Sequence, residues 1–371
     1  MYTAIFTIRF SRTRSRAALA VLCSLLFTQL TAWAQDDILL KKYKPKSIYN
    51  IPKHHVSKAK YPVIDMHSHA YAKTEDEIAQ WVERMDSLGI QKTIILSYQT
   101  GKAFDSIYNL YSKYNGRFDV WCGFDYTGYN ETGWSQKAIK ELERCYAVGA
   151  RGIGELGDKG IGLMYSRPTK APGLHINDPR IQPLLKRCGE LGMPVNVHVA
   201  EPIWMYQPID TRNDGLMNAK YWRIDKDRPN ILSHDQLVET LKEAVANNPN
   251  TIFIACHYAN CSYDLNILGD LFDNYDNLYA DISARFAEIG PIPRAASKFY
   301  KKYQDRLLYG TDLGNKSFMY KTTFRILETA DEHFYEHRLF NYQWALNGLN
   351  LEDHVLKKIY ADNAKKILDH Q

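Results

Sequence analysis

Residues 61–69 read Tyr-Pro-Val-Ile-Asp-Met-His-Ser-His (YPVIDMHSH). A short apolar run passes directly into two histidines one residue apart. Side chains along a strand alternate between its two faces, so His67 and His69 share a face. Two imidazoles side by side at a buried strand end need a partner that both can bind.

The rest of the chain repeats the rhythm this stretch begins. Short apolar runs fall at 62–66, 93–97, 119–124, 151–156, 194–199, 251–256, 278–283 and 306–311. Between them lie amphipathic stretches with helical spacing. Thr74 to Leu88, for example, places Ile78, Trp81, Val82 and Met85 on one face. The stretches from Ser135 to Val148 and from Pro179 to Leu191 do the same, and Gly89, Gly149 and Gly192 stand where helices stop. Strands apolar on both faces and separated by helices make a parallel sheet. Eight of them in about 250 residues predict an α/β fold closed into a (β/α)8 TIM barrel. No G-x-G-x-x-G follows the first run, so an open dinucleotide-binding sheet lacks support. Two regions exceed a minimal barrel: the long loop after strand five, from Glu201 to Ser233, and a helical C-terminal part from Lys316 to Gln371.

In such a barrel all strands end at one rim, where active sites form. Strand one ends in His67 and His69, strand four in Glu155, strand five in His198. Strand six runs into His257 and strand eight into Asp312. The fold brings these scattered residues to one mouth. Imidazoles mixed with carboxylates suit Zn, Mn, Fe or Co better than Ca or Mg, which prefer all-oxygen shells. Zinc is the default expectation.

This ordered set resembles the amidohydrolase superfamily, in particular its amidohydrolase-related (amidohydrolase 2) branch, which holds both hydrolases and decarboxylases. The likeness runs from about Tyr61 to Leu368. It rests on VIDMHSH, on GLHINDPRIQPLLKRCGELGMPVNVHVAEP around strand five, on LLYGTDLG at strand eight and on LNLEDHVLKKIYADNAKKIL near the end. The resemblance implies metal ligands at His67, His69, His198 and Asp312. It implies that His257 is either a ligand or an acid/base group, and that Asp312 also shuttles protons. Many two-metal relatives carry a carbamylated lysine on strand four. Glu155 stands there instead, and a carboxylate could bridge two ions or, alternatively, pair with Arg151 or Lys159 at the rim. One or two ions per chain are therefore open.

Composition sets outer limits. Four arginines (Arg9, Arg12, Arg14, Arg16) precede an apolar run from Ala17 to Leu30 and then Ala32-Trp33-Ala34. That pattern predicts a signal peptide over 1–34, cleaved after Ala34, and a periplasmic or secreted protein. The formal charge of +5 then falls by four to +1, which argues against nucleic acid or a membrane surface as partner. A small-molecule substrate is expected. Residues 35–60 are polar and lysine-rich and read as an arm or linker before a domain spanning 61–371. Five cysteines remain after cleavage, with no C-x-x-C pair, and read as buried thiols.

The loop after strand five is long enough to shape substrate choice. Trp204, Tyr206 and Trp222 can line a pocket for an apolar or aromatic group, and Arg212 or Arg223 can clamp a carboxylate. Asp281, ending strand seven, either touches substrate or orients a neighbour. His234 is expected to flank the helix before strand six, and His54, His175 and His333 to lie at the surface. Three functions remain: a metal-dependent hydrolase of an ester, lactone or amide; a metal-dependent non-oxidative decarboxylase; or a silent binding protein on the same scaffold.

Overall fold

The structure is a computed structural model that describes residues 39–114, 116–166, 169–219, 223–339 and 344–369. The segment expected to direct export lies outside these residues. The chain divides into a unit ending at Pro45, whose described part holds one 3-10 turn (Leu40–Lys42), and a unit from Lys46 to Gln371. Among the described residues no helix is long and apolar enough to cross a membrane.

The apolar runs fold as eight parallel strands: β1 (Val63–Ser68), β2 (Ile90–Leu96), β3 (Phe118–Trp121), β4 (Ile153–Asp158), β5 (Val195–Val199), β6 (Phe253–Ala255), β7 (Leu278–Asp281) and β8 (Leu307–Leu308). Parallel ladders join β1 to β2, β2 to β3, β4 to β5, and then β5 through β8 in order. Two junctions close the ring. Gly154 N donates to Cys122 O (2.8 Å) and Cys122 N to Gly152 O (3.1 Å), which ties β3 to β4. Met66 N donates to Tyr309 O (2.9 Å) and Thr311 N to His67 O (3.1 Å), which ties β1 to β8. Ile64, Met66, Ile94, Leu96, Trp121, Ile254 and Leu308 share one buried cluster. Five strands contribute to this cluster, as in the filled interior of a barrel, and Ala361, Ala364 and Ile367 of the helical segment 358–368 belong to it.

The helices cover the outside of this ring. They are α1 (Glu75–Leu88), α2 (Gly101–Tyr111), α3 (Trp134–Val148), α4 (Gln182–Glu190), α5 (His234–Asn247), α6 (Leu265–Asn274), α7 (Pro293–Lys302) and α8 (Ser317–Glu328). Local chemistry sets their ends. The Thr74 hydroxyl accepts from Glu77 N at the start of α1, and Gly89 ends it at φ 81°, where a residue without Cβ is unstrained. Ile78, Trp81, Met85 and Leu88, the inward stripe, are buried.

Two features depart from a bare alternation. An antiparallel hairpin, Leu163–Tyr165 with Lys170–Pro172, extends from β4. The segment 46–60 is tied to the barrel: Ala59 N donates to Leu88 O (3.0 Å) and His54 N to the Asp331 carboxylate (3.0 Å). The long loop is packed rather than free. Ala200, Trp204, Met205, Tyr206 and Ile224 form a small core with Leu237 of α5.

Candidate metal centre

The strand ends turn by unusual backbone. Tyr98, Ala200, His257, Ala284 and Asp312, after β2, β5, β6, β7 and β8, all have φ between 50° and 59°. Left-handed φ is costly for residues with Cβ, and such residues cluster where a fold must aim side chains. Here they lie on the rim that carries the predicted histidines.

Each imidazole is oriented by what its Nδ1 meets. His67 Nδ1 donates to Asp281 Oδ2 (2.9 Å), His69 Nδ1 to Leu96 O (2.8 Å), and His257 Nδ1 to Ser283 O (3.0 Å). A backbone carbonyl can only accept, so the Nε2 atoms of His69 and His257 carry lone pairs in the neutral ring. They face carboxylates. His69 Nε2 is 2.9 Å from Asp312 Oδ1; His257 Nε2 is 3.6 Å from Asp312 Oδ2; His67 Nε2 is 3.9 Å from the same oxygen. Among the described residues the buried Nε2 of His67 has no hydrogen-bond partner. Lone pairs aimed at anions repel unless a cation stands between them. The donors therefore fit a divalent metal, and His67, His69, Glu155, His198, His257 and Asp312 supply groups whose ligand atoms lie within 4.8 Å of one another.

Electrostatics agree with a cation-seeking site. Burial alone would lower the His67 pKa, but Asp281, Asp312 and Glu155 outweigh it and push it up to about 9. Burial, with Arg285, His198 and His67 nearby, instead holds His257 well below the ordinary imidazole value, so its ring is neutral. Asp312 resists burial because His67 and His69 hold it down to about 2.

Glu155 occupies the other side of the mouth. Its Oε1 accepts from His198 Nδ1 and lies 3.3 Å from Lys159 Nζ; its Oε2 accepts from Tyr98 OH (2.8 Å). Lys159 and His198 overcome its burial and keep it well below the usual carboxylate range. Arg151, the other partner considered for Glu155, donates instead to the carbonyls of Tyr146 and Ala150.

The substrate-contact candidates separate. Trp204 lines a cleft of about 590 Å³ with Ile203, Tyr263, Ile292, Trp344 and Glu288. Contacts link the cleft to the centre: Glu288 lies 3.5 Å from Arg285, Arg285 3.7 Å from Glu201, and Glu201 3.5 Å from His198 Nε2. Tyr206 is buried near His234 and is not among those lining residues. Arg212 is exposed and paired with Asp210, Arg223 is exposed, and Trp222 lies outside the described residues. Asp281 is fully buried behind His67, where it orients the ring and cannot touch substrate. His175 is not a free surface residue, since its Nδ1 bonds Asp158 (3.0 Å). His234 is buried at the start of α5.

Sequence reasoning missed Tyr98, Tyr71 and Glu201. Tyr98 OH sits 2.8 Å from His69 Nε2, and Tyr71 OH donates to Asp312 Oδ1 (3.3 Å). Tyr98 stands two residues beyond β2 and Glu201 two beyond β5, positions the strand-end rule could have flagged. Gly310 has its own local reason: a Cβ there would stand 2.8 Å from His67 Cβ, so β8 can approach β1 only with glycine.

Residues 102–369 match the sequence model of a family described as amidohydrolase. The chain belongs to this amidohydrolase family. The match begins after β2, so His67 and His69 join the site through the fold. No curated protein matches the chain. Among solved structures, a candidate amidohydrolase from Staphylococcus aureus is similar at 16% identity and TM-score 0.54, covering 83% of this chain and 99% of its own. A TIM-barrel protein from Bordetella bronchiseptica is similar at 14% identity and TM-score 0.50, with the same coverages of 83% and 99%. Both likenesses support the barrel.

Proposed function

We propose that this amidohydrolase is an exported, metal-dependent hydrolase that opens an ester, lactone or amide bond of a small substrate. The observation that carries the reading is the convergence of the His67, His69 and His257 Nε2 atoms on Asp312. Zinc suits this mixture of imidazole and carboxylate. A bound divalent cation supplies Lewis acidity and lowers the pKa of a water to about 7.

The chain's own residues do the rest. Asp312 is 23% exposed at the mouth and ionised, so it accepts the proton of the attacking water and returns it to the leaving group. Tyr71 OH donates to it and fixes its orientation. His257, held neutral and aimed by Ser283, presents Nε2 to the same space. The adjoining cleft, walled by Trp204, Trp344 and Tyr263, takes the remainder of the substrate.

The test is a panel of lactones, aryl esters and amides offered to chelator-stripped protein with and without zinc. Zinc-dependent hydrolysis is expected, and Asp312→Asn should lower kcat by about 10²–10⁴-fold, the range for a positioned acid/base. Release of carbon dioxide from carboxylic acids, with every ester and amide left intact, would replace hydrolysis with decarboxylation.

A further inference from the structure

The donors fall into two overlapping groups. One surrounds Asp312 with His67, His69 and His257. The other surrounds Glu155 with His198, His257 (3.9 Å) and, shared with the first, His69 (3.7 Å). Nothing in residue type distinguishes the second group from a place for a second ion. Its actual contacts do. We propose that Lys159 is a built-in cation that takes the place of a second metal ion, so that the centre holds one ion per chain. The inference rests on the metal-centre reading above.

Lys159 follows Glu155 by four residues, just past the end of β4, and its Nζ lies 3.3 Å from Glu155 Oε1. That is the oxygen which a second ion would need. The same oxygen accepts the Nδ1 proton of His198, and Oε2 accepts the Tyr98 hydroxyl. Glu155 thus has three donors from the protein, one of them a full positive charge. A dication entering this group would stand a few ångströms from an ammonium, at low dielectric, where like charges repel most. The Lys159 side chain is 27% exposed, so it reaches the mouth from the rim while its charge stays at the carboxylate. No comparable cation stands against the Asp312 oxygens: among the described residues their close ion-pair partners are imidazoles alone.

The two groups therefore differ in formal charge. The only ion-pair partners of Asp312 among the described residues are imidazoles, whose protons a metal displaces, whereas Glu155 keeps the fixed positive charge of Lys159. A chelator-stripped, signal-cleaved protein titrated with zinc, and counted by elemental analysis after removal of free metal, reads this directly. Wild type is expected to hold one zinc per chain. Lys159→Met, which keeps length and removes charge, is expected to hold two, and Lys159→Arg one. Two ions in wild type, or one in a Lys159→Met variant with the wild-type circular dichroism spectrum, would overturn the proposal while leaving the metal centre standing. No ion in wild type would overturn both. Should Lys159→Met fail to fold, Lys159→Gln is counted in its place with the same two outcomes.

Discussion

Asp281 shows how a single residue acts on a site it never touches substrate in. Its carboxylate holds His67 Nδ1 at 2.9 Å, accepts from Asn196 Nδ2 (3.3 Å) and from the backbone N–H groups of His257 and Ser283 (3.1 Å each). It holds the ring so that Nε2 faces the centre, and it braces the left-handed turn carrying His257. Partners that orient a ligating histidine typically contribute 10–100-fold to metal affinity. Asp281→Ala is expected to weaken zinc binding by about that factor in a chelator competition titration. Unchanged affinity would show that His67 is aimed by packing alone. The strand-end pattern in the sequence pointed to Asp281 but left open whether it touched substrate or oriented a neighbour. A bulge between Asp65 and Ser68 in the β1–β2 ladder similarly shifts the side-chain alternation just where His67 is placed.

At the scale of elements, α5 couples the long loop to the barrel. Ser233 and Gln236 form a reciprocal capping box at its start. Ser233→Ala should cost about 1 kcal/mol, measured as a shift in urea midpoint without change in slope. The next residue, His234, is buried between the rings of Tyr206 and Tyr263 and donates Nε2–H to Asn260 O (3.0 Å). Burial lowers its pKa below 6.5; the Asn260 carbonyl and the exposed Asp235, 3.6 Å from Nδ1, only partly oppose this. As pH falls, the unfolded chain therefore takes up this proton first. The stability contributed by the neutral ring is present above about pH 6.5 and lost as pH falls through the depressed folded value. Melting temperatures on acidification from about pH 7.5 to 5.5 should drop less for His234→Phe than for wild type. An equal drop in both would remove His234 as the cause.

For the whole molecule, the centre is a cross-link. Its donors come from β1, β4, β5 and the segments after β6 and β8, including both strands at the closing seam. An ion bound only by the folded barrel stabilises it by about 2.7 kcal/mol at a hundredfold excess over its Kd. Zinc should raise the melting temperature of stripped protein and a chelator should reverse the rise; a melting temperature indifferent to both would mean that the donors do not act together. By itself, the sequence determined the eight-strand order, the helix stops at Gly89 and Gly149, and the six residues brought to one rim, because alternation, helical spacing and glycine's freedom at positive φ are local rules. The hairpin at 163–172 escaped that reading because its strands are three residues each, too short for a periodic signal. Only the tertiary structure decided that Asp281 lies behind His67, that Tyr98 and Tyr71 enter the centre, and that Lys159 rather than Arg151 meets Glu155. Those outcomes depend on distances between segments far apart in the chain, set by ring closure and by five left-handed turns at the rim, and no local pattern encodes them.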